Sequence, residues 1–116
     1  MKINSLTISY ILLIIAHFLH ILEEVIGKAS FIETIYNGTA NFIIIMLLLL
    51  VIPVTLCYFI NKRNKIAYIL SYVYGIIMVL DGFSHIIGNY PGKYTGVALI
   101  ILGGFLIFTL KRNKLR

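Results

Sequence analysis

Cysteine occurs once, at Cys57, so no internal disulfide can form and no thiolate metal cluster can be built. That thiol reads as a small packing residue within an apolar run. Acidic side chains are almost as scarce, with 4 Asp and Glu against 10 Lys and Arg, and charged residues of all kinds make up only 12% of the chain. A soluble domain carries roughly twice that share. Proline appears twice, at Pro53 and Pro91. The chain has no Gly-rich phosphate loop, no Ser–His–Asp spacing and no basic groove interleaved with aromatics. Nucleotide chemistry, serine hydrolysis and nucleic-acid partners are therefore excluded. The strict alternation of a transmembrane barrel is missing too.

What fills the chain is apolar. Hydrophobic residues make up 60% of 116 positions, with a mean hydropathy of +1.00. A chain this short cannot hide so much apolar surface from water. Four apolar runs, at 6–24, 41–60, 66–88 and 94–110, are each about 17 to 23 residues long. About 20 helical residues cross a 30 Å hydrocarbon core, and helices satisfy their own backbone there. The expectation is an all-α integral membrane protein, one domain over 1–116, folded as a four-helix transmembrane bundle.

The formal net charge of +6 is a topology signal. Lys62, Arg63 and Lys65 fill the turn between the second and third runs, and Lys111, Arg112, Lys114 and Arg116 follow the fourth. The other two connections hold just Lys28 and Lys93. The positive-inside rule then predicts N- and C-termini and the middle turn on the cytoplasmic side. The first run is preceded by Lys2 and followed by small residues, as a signal peptide would be. Glu23 and Glu24 occupy its cleavage region, however, so a retained helix is expected. Asn37-Gly38-Thr39 matches a glycosylation sequon and is read as a chance occurrence in a bacterial or archaeal cell-membrane protein.

Against this background the stretch HFLHILEE, residues 17–24, stands out. At 100° per residue, Tyr10, His17, His20 and Glu24 share a stripe of roughly 80° on the first helix, with Glu23 at its edge. On the third helix Tyr74, Asp81, His85 and Gly88 share a similar stripe, with Ser84 close by. His20 and Asp81 both lie about 21 to 23 Å from the cytoplasmic ends of their helices, and Glu24 and His85 about 27 to 29 Å. Two carboxylates and two histidines should therefore meet in the outer half of the bilayer if the helices adjoin. Charge in hydrocarbon is costly, so such residues face partners or a wet cavity.

Of the remaining features, Pro53 predicts an interruption of the second helix. Residues 27–40 form a longer outer loop that can lie along the interface. Pro91-Gly92 reads as a turn, with Tyr90 and Tyr94 suited to an interfacial belt. Gly103-Gly104 predicts close helix contact. His17 is read as locally hydrogen-bonded, and Glu33 and Asn37 as solvated.

HILEE, residues 20–24, resembles the signature of the HXXEE-domain family of small bacterial and archaeal multi-span membrane proteins. DGFSHIIGNYPGKYTG is similar to that family's later helix and turn, through Asp81, His85, Pro91, Gly92 and Thr95. The family's usual Asn is Asp81 here, and Tyr90 abuts Pro91 directly. The resemblance implies a shared polar site formed by His20, Glu23, Glu24 and His85, and implies no reaction.

Four readings follow. His20, Glu24, Asp81 and His85 make a mixed imidazole–carboxylate set suited to Zn, Mn or Fe, and His-x-x-Glu reverses the Glu-x-x-His spacing of di-iron bundles. Alternatively, Glu23, Glu24, Asp81 and His85 serve metal-free acid–base catalysis, as in an isomerase or cyclase. Either enzyme would act on a lipid-like or apolar small substrate. A third reading is a proton- or cation-coupled transporter, which at this size implies a homo-oligomer. The last is a non-catalytic membrane protein that binds a ligand or metal, or simply glues helices together with bonds of about 1 kcal/mol each.

Overall fold

The structure, a computed structural model, describes residues 5–112. Among them are five helices: α1 (Ser5–Ile26), α2 (Ser30–Thr34), α3 (Thr39–Ile60), α4 (Lys65–Ile87) and α5 (Lys93–Arg112). The four long helices match the four apolar runs, and each is long and apolar enough to cross a membrane. The 27–40 connection contains the extra element, α2. Its Ile32 packs with Ile21 of α1 and with Phe42 and Leu50 of α3.

Side-chain partners fix the helix directions. Tyr10 meets Ser71 at a separation of 61 residues, and His20 meets Asp81 at the same offset, so α1 and α4 run parallel and in register. Ser9 meets Thr109 and His20 meets Thr95, so α5 runs antiparallel to α1. All four carboxylates of the sequence, Glu23, Glu24, Glu33 and Asp81, therefore gather at one end of the bundle. Lys62, Arg63, Lys65, Lys111 and Arg112 gather at the other. We call these the acidic and basic ends.

The tightest packing joins α4 to α5. A methyl group added at Gly82 would stand 2.4 Å from the Gly96 carbonyl oxygen. Small residues that let two backbones touch are the main device of helix association in lipid, where the hydrophobic effect between helices is lost. Gly103 does the same against Gly75 and Val79, whereas Gly104 faces open space. The paired-glycine expectation therefore holds at one position of the two, because the next residue turns 100° away.

Helix α3 is attached unevenly. Leu56 and Ile60, near its basic end, join the cluster that holds Tyr10, Tyr74 and Leu106. Phe42 and Leu50 instead join the cluster formed with α1 and α2, which contains no α4 residue. The acidic half of α4 is thus left open on one side, along Ile77, Asp81 and Ser84. Pro53 lies inside α3, which continues through it to Ile60.

Candidate functional site

Both polar helices stop just beyond the site, and by the same device. The backbone N–H of Ala29 bonds the Glu24 carbonyl, and that of Tyr90 bonds the His85 carbonyl. The intervening Lys28 and Asn89 take left-handed conformations, φ 54° and 53°. These closures end α1 and α4 at matching heights. Glu24 and His85 consequently sit in the last turns of parallel helices, one turn beyond His20 and Asp81.

Four side chains meet there. His20 Nε2 lies 2.9 Å from Glu24 Oε1 and 3.2 Å from Asp81 Oδ2. His85 Nε2 lies 3.4 Å from Asp81 Oδ1. The imidazole rings of His20 and His85 stand edge to face, 4.5 Å between centroids. His20, Glu24 and His85 are buried, while the Asp81 side chain is 36% exposed on the open side of α4.

The hydrogen-bond network fixes the role of Nδ1 in both histidines. His85 Nδ1 lies 2.7 Å from the Pro91 carbonyl oxygen. A carbonyl can only accept, so Nδ1 carries a proton, and Nε2 is the nitrogen left facing Asp81. His20 Nδ1 lies 2.8 Å from Thr95 Oγ1. That hydroxyl donates to Glu23 Oε1 at 2.7 Å, so it accepts from His20 Nδ1 and leaves His20 Nε2 facing inward.

Nε2 of His20 is closed off from solvent and makes no hydrogen bond in the described structure. Its two carboxylate neighbours are near enough for one but lie off the direction of an Nε2–H bond. Imidazole nitrogens this close to carboxylate oxygens need a proton or a metal cation between them. His20, Asp81 and His85 each offer one ligand atom within 4.8 Å of the others, a group that could hold a metal ion. Ligand atoms on one tetrahedral Zn ion lie about 3.4 Å apart, so atoms that lie within 4.8 Å of one another would close by up to about 1.4 Å to hold it. Metal-binding histidines commonly donate their other ring nitrogen to a carbonyl or carboxylate-linked partner, as both do here.

Glu23 is turned elsewhere. Its oxygens accept from the backbone N–H of Thr95 at 2.7 Å and of Tyr94 at 3.3 Å. It therefore caps the first turn of α5, where a negative charge is favoured. Gly92 closes the site from above with φ 103°, and a methyl group there would stand 2.7 Å from His20 Cε1 and 3.0 Å from His85 Nδ1. His17 stays outside the cluster, its Nδ1 3.0 Å from the Tyr74 hydroxyl. Glu33 and Asn37 remain in the 27–40 connection, apart from the site, and Asn41 bonds back to the Asn37 carbonyl.

The structure thus brings together His20, Glu24, Asp81 and His85 and puts Glu23 behind them. Sequence reasoning gave no role to the Thr95 hydroxyl or the Pro91 carbonyl. Their nearness to the last helix start was the available signal. In comparisons with known proteins the chain matches no protein-family model, no curated protein and no solved structure.

Proposed function

We propose that this is an integral membrane metalloprotein with its basic end on the cytoplasmic side. His20, Asp81 and His85 hold one divalent ion, Zn, Mn or Fe, in the outer half of the bilayer, with Glu24 beside them. The protein acts on a lipid-like or other apolar small molecule that reaches the site along the uncovered strip of α4. One observation carries this reading: both histidines have Nδ1 engaged, so both Nε2 atoms face the Asp81 carboxylate. The ion would supply Lewis acidity to a polarised oxygen. Glu24, buried and adjacent to His20, serves as general acid or base. Glu23 positions His20 through Thr95. The likeness to HXXEE-domain proteins belongs to the same proposal and rests on residues 20–24 and 81–96.

Metal analysis by mass spectrometry on detergent-purified protein tests the centre. About one ion per chain is expected in wild type and in Glu33→Gln, and none in His20→Ala or His85→Ala. Wild type that stays metal-free after repletion with Zn, Mn and Fe overturns the reading. Incubation of the loaded protein with a membrane lipid extract tests the enzymatic half. An extract no more altered by wild type than by His20→Ala removes it.

A second reading, a small proton- or cation-coupled transporter, has one observation in its favour. Buried polar pairs continue towards the basic end, through His17–Tyr74 and Tyr10–Ser71. That column is interrupted: the Tyr10 and Tyr74 rings stack 6.0 Å apart, and no hydrogen bond joins them in the described structure. Proton uptake into proteoliposomes, absent in His17→Ala, would favour transport over the metal-site reading.

A further inference from the structure

At the basic end, far from the His/Asp cluster, α1 and α3 part to leave an open groove of about 820 Å³. Ile11 and Ile15 form one wall, Val54 and Tyr58 the other, and Lys62 and Arg63 stand at the mouth. On α1 the groove runs from Thr7 to Ile15, about 12 Å at 1.5 Å per residue. Its mouth is held in shape. Thr7 Oγ1 donates to Asn61 Oδ1 at 3.0 Å, tying α1 to the turn. Asn61 Nδ2 donates back to the Cys57 carbonyl, and Lys62 Nζ lies 5.6 Å from the centre of the Tyr58 ring.

The charge at this mouth is not answered by any acidic side chain among the described residues. All 4 acidic side chains of the sequence lie towards the acidic end, and the ion pairs among the described residues are confined to His20, Glu24, Asp81 and His85. No acidic side chain among the described residues answers Lys62 and Arg63, which leaves the mouth open to an outside anion. A second copy would bring the same cations face to face, and a free phosphate would leave the apolar walls unused. A molecule with a phosphate at one end and a long acyl chain meets both needs.

We propose that this groove binds one anionic phospholipid. Its phosphate sits between Lys62 and Arg63, and one acyl chain lies along Ile11, Ile15, Val54 and Tyr58. The site is independent of the metal centre and stands or falls without it.

Native mass spectrometry of the full chain, titrated with phosphatidylglycerol or phosphatidylcholine of matched chains, tests this. Wild type is expected to retain one phosphatidylglycerol with a preference of about tenfold or more. The Lys62→Gln/Arg63→Gln double variant should lose the preference, while Lys111→Gln/Arg112→Gln keeps it. Val54→Trp, which fills the groove, should weaken retention of both lipids and leave the protein mass monodisperse. Equal retention of the two lipids by wild type overturns the proposal, as does an unchanged preference in the Lys62/Arg63 variant. Equal loss in the Lys111/Arg112 variant would reduce the effect to general surface charge. A change of oligomeric state in Val54→Trp would assign the groove to a second copy. Added phosphatidylglycerol should also raise the melting temperature of wild type but not of the Lys62/Arg63 variant.

Discussion

At the acidic end α1 and α4 meet through His20, Glu24, Asp81 and His85. Towards the basic end the same two helices meet through the hydroxyls of Tyr10 and Ser71, 2.8 Å apart. Close by, α1 meets α5 through Ser9 and Thr109 at 2.9 Å. Both regions join parallel or neighbouring helices by side-chain polar contacts, and in both all but Asp81 are buried. Their costs differ. A hydroxyl pair is neutral and worth about 0.6 kcal/mol on average between membrane helices. An ionisable group at depth costs a few kcal/mol unless compensated. Helix association alone would be served by more pairs like Tyr10–Ser71. Two carboxylates and two histidines in the same seam therefore support the proposed task beyond assembly.

The comparison can be broken most forcefully at Gly92. Gly92→Ala places a methyl group against His20 and His85 on a left-handed backbone, with an expected loss of about 2 kcal/mol or more. Thermal unfolding in detergent would measure it, and metal content should fall with it. Next in size are the groups behind the proposed metal ligands. Thr95→Val or Glu23→Gln should weaken metal binding by about 10- to 100-fold in a competition assay with a metal-binding dye. Either variant leaves His20, Asp81 and His85 in place, so a stoichiometric but weaker site is the expected signature. The smallest effect belongs to the other region. Tyr10→Phe should cost about 0.6 kcal/mol and leave metal affinity unchanged. If it weakens metal binding as much as Thr95→Val does, the two regions are one connected network and the contrast between them fails.

Much of this was legible because helices repeat. The 100° spacing put His20 and Glu24 on one stripe and Asp81 and His85 on another. Equal distances from the basic ends placed them at the same height. The structure agrees on both, with α1 and α4 facing each other between α3 and α5. What escaped was set by contacts far apart in sequence. Glu23 sits beside Glu24 in the chain, yet a 100° turn sends it towards the start of α5 rather than into the cluster. Nothing local announces that Pro91 will offer its carbonyl to His85, six residues back along a turn. The 5-residue α2 was too short to show a period. The groove beside Lys62 depends on how α3 departs from α1, which no single helix records.

The Glu23 cap also bears on how the chain is made. Its partners on α5 lie 71 and 72 residues further along. Synthesis runs from the N-terminus, so α1 emerges with its carboxylate long before the amides that satisfy it exist. In the membrane proposed for it, Glu23 would do best in the headgroup layer until α5 arrives, where water can solvate it. In the proposed membrane setting the final helix would complete insertion as well as the site. A chain ended at residue 88 should leave the 23–30 region open to protease in isolated membranes, and the full chain should protect it. Equal cleavage of the two would show that α1 reaches its final depth alone.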